Sequence, residues 1–237
     1  MKKIFAYVGS RHCESYTEQI TKKLIEYVKN TLHEDLEVIV RTPNNSLIKE
    51  CLGCNNCFTN GICPQIDDVS LIKKEIEESI LVIFSSPVYL HNVSGSLKTF
   101  IDRISYWSHL FYLAGKYSVT ISTSTSSGNQ YIDEYNKKVL TLMGACNIAN
   151  ISIRQSELTD VALESILSTS AQKIANYIKQ GDYFITSQQE MYFDSFKQLA
   201  QKGMLFTAEK EYYLRRKIVD YNNYYEYFSE NFLKNNN

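Results

Sequence analysis

Apolar residues in this chain follow two rhythms that alternate along its length. Short, nearly uninterrupted runs at residues 3–8, 36–40, 80–84, 117–121 and 148–153 are too short for buried helices. They read as strands covered on both faces, as in a parallel sheet. Between them the apolar positions fall three and four apart. Ile20, Leu24, Ile25 and Val28 share one helical face behind Ser15-Tyr16-Thr17, and Val69, Ile72 and Ile76 share another behind Asp67 and Asp68. Both aspartates are good N-cap residues. Leu97, Phe100, Ile101 and Ile104 repeat the pattern after Gly95-Ser96. A helix through Tyr135, Val139 and Leu142 and another over residues 158–178 complete the alternation.

Strands alternating with helices predict an α/β fold, a doubly wound five-stranded parallel sheet. Five strands suit the flavodoxin-like order 2-1-3-4-5, whose switch point lies between strands 1 and 3. Ligands bind there, outside the carboxyl ends of the strands. The flanking loops are residues 10–17 and 87–95. From residue 183 the character changes: aromatics dominate among charges and asparagines, with no repeat. The expected organisation is a domain over residues 1–182 and a C-terminal helical extension over 183–237. The extension reads as two helices, 188–201 and 208–232, whose aromatics pack against the sheet domain or a second subunit.

The net charge of −1 lacks the basic face of a nucleic-acid binder. It also lacks the acidic face by which electron shuttles dock. No apolar run approaches the length of a membrane span. Five apolar residues follow Met1-Lys2-Lys3 before Gly9-Ser10, so no signal peptide is expected, and the expected location is cytoplasmic. Four of the 6 cysteines, Cys51, Cys54, Cys57 and Cys63, crowd into the loop over residues 41–66. In a reducing compartment such crowding indicates metal or redox chemistry rather than a disulfide framework.

Ser10, Ser15 and Thr17 put three hydroxyls around the start of a helix, where free amides and the helix dipole favour an anion. Plain helix capping by Ser15 is the competing explanation. The loop is neither a Walker A sequence nor G-x-G-x-x-G, and it suits one terminal phosphate better than a triphosphate or pyrophosphate. Gly9-Ser10, four residues, then Ser15-Tyr16-Thr17 resembles the phosphate loop of the NADPH-dependent FMN reductase branch of flavodoxin-like proteins. Ser85, Pro87, Val88 and Tyr89, then Gly95, Lys98, Asp102 and Arg103, resemble that family's second signature. The resemblance covers about residues 1–180. It implies FMN with its phosphate on Ser10, Ser15, Tyr16 and Thr17, and its ring along Pro87, Val88, Tyr89 and Asn92. The third loop, with Thr123, Ser124 and Gly128, would reach the pyrimidine side. Arg11-His12 stand where the family often has Pro-Arg, and STSTSSGNQ is poorer in glycine than is usual there.

The cysteine loop resembles that of the iron–sulfur flavoprotein subfamily. Spacings of two, two and five residues suit a [4Fe–4S] cluster on Cys51, Cys54, Cys57 and Cys63, with Pro64 following as in bacterial ferredoxins. Reduced thiols or adventitious zinc are the alternative. The leading expectation is an FMN-dependent oxidoreductase that oxidises NAD(P)H and passes electrons to a small acceptor such as a quinone. A flavodoxin-like carrier without its own turnover is the second reading, and a zinc-stapled interaction domain the third. The resemblance also implies a homodimer or higher homo-oligomer. No acid–base residue is assigned. His91 reads as a solvent-facing histidine, Asp102 and Arg103 as a helix-surface pair, and Cys13 and Cys146 as small packing residues.

Overall fold

The computed structural model describes residues 2–233. Met1 and residues 234–237, where the leader and extension expectations begin and end, lie outside the described residues. In chain order the elements are β1 (Lys2–Val8), α1 (Tyr16–Leu32), β2 (Leu36–Arg41), α2 (Asn56–Asn60), α3 (Val69–Glu77), β3 (Leu81–Pro87), α4 (Gly95–Arg103) and α5 (Trp107–Leu110). There follow β4 (Tyr117–Ser124), α6 (Asn129–Leu142), β5 (Cys146–Arg154), α7 (Asp160–Gln180), α8 (Ser187–Gln201), α9 (Thr207–Arg216) and α10 (Tyr224–Phe228). The sheet is parallel throughout with order β2-β1-β3-β4-β5, the flavodoxin-like topology expected. No helix among the described residues is long and apolar enough to cross a membrane.

The strands are apolar on both faces because both are covered. Ile4 and Ala6 of β1 face one layer with Ile20 and Leu24 of α1 and Ile174 of α7. Phe5 and Tyr7 face the other, with Ile72 of α3, Phe100 of α4 and Leu140 of α6. Burying each such side chain contributes about 1.5–3 kcal/mol, so the apolar residues on both faces of the strands are what hold the four crossovers in place.

The C-terminal helices join that second layer rather than standing apart. Phe193, Tyr213, Tyr224, Tyr227 and Phe228 are buried in the same core as Trp107 and Phe111. The Phe111 ring lies 5.5 Å from Phe193 and 5.1 Å from Tyr224. Two of the buried phenols are paired: Tyr224 donates to the Gly144 carbonyl at 3.0 Å and Tyr213 to that of His109 at 2.8 Å. The expected single helix over 208–232 is two. Lys217 turns left-handed at φ 53°, ending α9, and Asn223 restarts the chain by capping α10 through the Glu226 amide.

Strands 3 and 4 run further than expected, to Pro87 and Ser124. Their serines find partners on the flanking elements: Ser85 accepts from the Thr21 hydroxyl of α1 at 2.8 Å and Ser86 from the amide of Ser94, the cap of α4, at 2.9 Å.

Candidate functional site

The chain leaves β1 at Gly9, whose amide donates to the Ser85 carbonyl at 2.8 Å and ties the ends of β1 and β3 together. A methyl group on Gly9 would lie 2.5 Å from Ser94 Oγ and 2.7 Å from Leu97 Cβ, so a side chain has no room beneath the first turn of α4. Ser10 is buried beyond it. Ser15 caps α1, its Oγ accepting from the Glu18 amide at 3.2 Å. An oxygen so engaged keeps its own proton to donate. The amides of the first turn, Tyr16 and Thr17 among them, have no partner within the helix and carry the positive end of its dipole. Thr17 is tied sideways: its hydroxyl lies 2.6 Å from that of Thr123 at the end of β4. One proton is shared in that contact and one remains.

The loop after β3 is held from both sides. The Val88 amide donates to the Thr123 carbonyl at 2.8 Å. Tyr89 and Asn92 exchange backbone hydrogen bonds of 3.1 and 3.0 Å around Leu90 and His91, which both have positive φ, 47° and 56°. Two such residues in a row form a primed turn, usually built from Asn-Gly, and each non-glycine residue there costs about 1 kcal/mol or more. The turn lifts Leu90 to full exposure, with Tyr89 59% exposed beside it. His91 is solvent-facing, as expected, and its ring stacks on Tyr131 at 5.3 Å. Asn92 is exposed, its side chain accepting from the Val93 amide at 2.8 Å.

Ser124 donates to the Asn129 side chain at 2.6 Å, which fixes the start of α6. Gly128 brings the third loop against the second. It has φ 93°, and a Cβ there would lie 2.6 Å from His91 and 2.8 Å from Val88. The three loops therefore close on one another at the switch point. Beside them opens a cleft of about 1310 Å³, walled by Gly9, Arg11, Tyr89 and Gly95 on one side and residues 43–50 on the other. The cysteine loop thus borders the same cleft, because β2 neighbours β1.

Two sequence expectations are corrected in the cysteine loop. Asp102 and Arg103 are not a surface pair: Asp102 pairs with Lys98 at 2.5 Å, while Arg103 turns inward and pairs with Asp67, both side chains 1% exposed. The Arg103 guanidinium also donates to the Lys49 carbonyl at 2.8 Å and to Cys63 Sγ at 3.4 Å. Nor do Asp67 and Asp68 serve chiefly as helix caps. Asp68 accepts from the Leu47 amide at 2.6 Å and Asp67 from that of Lys49 at 3.0 Å, so both carboxylates pin the loop. Burial alone would raise the Asp67 carboxyl, but Arg103 and the two backbone amides bonded to it hold it below its ordinary value.

Cys51 and Cys54 are exposed, and Cys57 and Cys63 half-buried. Burial first, then the neighbouring Cys63 and Cys51, push the Cys57 thiol up. Among the described residues no three His, Cys, Asp or Glu side chains are gathered closely enough to hold a metal ion. Cys146 is buried, as a packing residue should be, and its thiol is pushed up to about 11 by that burial. Cys13 is exposed instead, accepting from Asn44 at 3.7 Å, because its loop stands clear of the core. Sequence reasoning missed Asp67 and Arg103 as the loop's clamp. The available signal was the row Leu97, Phe100, Arg103, which places the arginine in line with two buried residues.

The family described as NADPH-dependent FMN reductase matches residues 2–157. An iron-sulfur flavoprotein of Archaeoglobus fulgidus is 35% identical over 125 residues, 52% of this chain and 57% of that protein. Another of Methanocaldococcus jannaschii is 30% identical over 130 residues, 54% of this chain and 66% of its own length. The chain thus spans under two thirds of these curated relatives. Among solved structures, an apo NADH:FMN oxidoreductase superposes with a TM-score of 0.55 at 18% identity, covering 79% of this chain and 91% of that one. RosB with a bound riboflavin-phosphate derivative reaches 0.60 at 12% identity, covering 86% and 88%. At those identities the structures establish the shared fold.

Proposed function

The chain belongs to the NADPH-dependent FMN reductase family, and on that premise we propose that it oxidises NAD(P)H with FMN and passes the electrons to a small acceptor. Bound FMN would supply the hydride and electron chemistry, while the chain supplies position and electrostatics. The observation that carries this reading is the packing of three loops on one another at the switch point, beside the free amides of α1 and a large cleft that the first two of them border. Those amides, with Ser10, Ser15, Tyr16 and Thr17, would hold the phosphate. Gly9 fits this role because the loop passes where no side chain has room. Pro87, Val88, Tyr89 and Asn92 would line the ring, and Thr123, Ser124 and Gly128 its pyrimidine edge. Backbone at these positions is fixed before any ligand arrives, which limits the ordering cost of binding. No side chain is assigned as acid or base.

Cys51, Cys54, Cys57 and Cys63 would hold a [4Fe–4S] cluster, which would supply one-electron transfer between flavin and acceptor. All four are free thiols on a loop that borders the flavin cleft, a donor set suited to iron and sulfide. The similar archaeal proteins are called iron-sulfur flavoproteins. The clustered free thiols fit a reducing, cytoplasmic setting. Exposed Tyr89 and Leu90 on the second loop, with exposed Tyr131 stacked on His91 beside them, favour a homodimer, for which light scattering in solution is the check.

The test is an absorption spectrum of protein purified without air, followed by FMN titration in a calorimeter. One FMN per chain is expected, and Ser15→Ala should weaken it by about 1–2 kcal/mol. Protein that stays colourless and gives no heat with FMN overturns the proposal. A bound flavin that a protein reductant bleaches, but NAD(P)H does not, makes the chain a carrier. Iron and acid-labile sulfide no higher than in Cys57→Ala removes the cluster alone.

A further inference from the structure

Of the charged side chains of α4, Lys98 and Asp102 pair with each other in solvent, and Arg103 alone is buried. A guanidinium is a planar fork of five N–H donors. Each terminal nitrogen gives one to the Asp67 carboxylate, Nη1 to Oδ2 and Nη2 to Oδ1. The second Nη1 proton goes to the Lys49 carbonyl at 2.8 Å, and the second Nη2 proton to Cys63 Sγ at 3.4 Å. That leaves Nε, which is buried and has no partner among the described residues. In the fork, Nε–H lies on the same edge as the Nη2 proton that reaches Cys63, because Nη1 stands on the side of Cδ.

An arginine placed only to brace the loop needs Asp67 and the Lys49 carbonyl, and both lie off that edge. Leaving a buried N–H unsatisfied costs about 1–3 kcal/mol, so the half-used edge marks a place for an acceptor beside Cys63. Cys63 is half-buried and is one of the four thiols assigned to iron. A neutral thiol accepts N–H bonds weakly, whereas sulfur that carries negative charge accepts them well. The donor edge therefore fits an iron–sulfur group on this loop better than it fits a reduced thiol. Asp67 cancels the charge of Arg103 at a distance, both side chains being 1% exposed. What reaches the sulfur is the short-range N–H dipole, and it favours the state in which sulfur is more negative. For a cluster that is the reduced state.

We propose that Arg103 sets the reduction potential of the cluster, holding it up by donating the hydrogen bonds of this edge to cluster sulfur, that of Cys63 included. The inference rests on the cluster reading of Cys51, Cys54, Cys57 and Cys63. Arg103 touches neither substrate nor flavin in this role. It is a positioning residue with an electronic task beside its mechanical one, and it decides how readily the cluster takes an electron. One electron leaves FMN that NAD(P)H has reduced, one enters the cluster, and the acceptor removes it. The same side chain that ties the cysteine loop to α4 thus matches the loop's potential to that of the flavin.

Protein reconstituted with iron, sulfide and FMN is titrated against mediators of known potential. The reduced cluster is followed by electron paramagnetic resonance and the flavin by absorbance. Two variants remove the donors without leaving a lone buried charge. Arg103→Met with Asp67→Leu replaces the pair by apolar residues, and Arg103→Lys keeps the ion pair but has no fork to reach the sulfur as well. Both should lower the cluster's midpoint potential, so that at the wild-type midpoint the ratio of reduced to oxidised cluster falls about tenfold. The flavin potential should stay at its wild-type value. A loop that is merely loosened shifts the cluster the other way, because water reaching it favours the more charged reduced form. An unchanged or raised potential in either variant overturns the proposal. If the apolar pair prevents assembly, Arg103→Lys decides by the same outcomes, and loss of the cluster from both assigns Arg103 to bracing alone and overturns it too. Failure of the cluster reading is distinct: it shows as wild-type iron and acid-labile sulfide no higher than in Cys57→Ala, before any potential is measured.

Discussion

Arg103 carries more of the site's architecture than any residue on the switch-point loops. One guanidinium, 1% exposed, joins Asp67, the Lys49 carbonyl and Cys63, so it fastens both ends of the cysteine loop to α4. A buried pair of this kind adds little over an apolar replacement, but losing one partner strands the other charge. Arg103→Met is therefore expected to cost about 3–5 kcal/mol in urea unfolding, through the uncompensated Asp67 carboxylate. Arg103→Met with Asp67→Leu should recover much of that loss. If the double variant is no more stable than the single one, the pair is not what makes the arginine matter.

At the scale of elements, the site is three loops that hold one another. Thr17 touches Thr123, Val88 bonds Thr123, and Gly128 packs under His91 and Val88. Gly128→Ala tests that arrangement. The alanine must adopt φ 93° and push aside two side chains, so a destabilisation of about 1–3 kcal/mol is expected. FMN affinity should fall with it, because the second and third loops can no longer approach. Wild-type melting temperature and FMN affinity in this variant would mean that the loops close independently. By contrast, α1 needs only its Ser15 cap and its apolar face, both of which are local.

For the molecule as a whole, the C-terminal aromatics and the sheet share one core, and that gives stability a definite pH dependence. Burial raises the phenols of Tyr7, Tyr213, Tyr224 and Tyr227 well above the ordinary tyrosine value. A group whose folded pKa is raised contributes fully below its unfolded value, about 10, and loses that contribution as pH climbs toward the folded one. Stability should thus fall above about pH 10, by about 1.4 kcal/mol per pH unit for each such tyrosine, and the melting temperature should fall with it. Tyrosinate absorbance should appear together with unfolding, since all four rings are buried. Smooth ionisation with the fold intact would show that the aromatic layer opens to water. On the acid side the sign reverses: Asp67, held low, contributes above the ordinary carboxylate value and is lost as pH falls through its folded one.

The alternation of strand and helix, the sheet order and the switch-point loops were all legible in the chain, because strands buried on both faces read as short uninterrupted apolar runs and amphipathic helices repeat about every 3.6 residues. Ser15 was legible as a cap for the same reason: its partner is three residues away. The long-range assignments were not. Whether Arg103 meets solvent or Asp67, whether Cys13 is covered, and where the chain breaks near Lys217 depend on partners that periodicity does not see. The contact between α2 and α9 is of that kind as well. It exists because Phe58 meets Phe206, nearly 150 positions later, and only the packing of a C-terminal layer onto the sheet domain brings those two rings together.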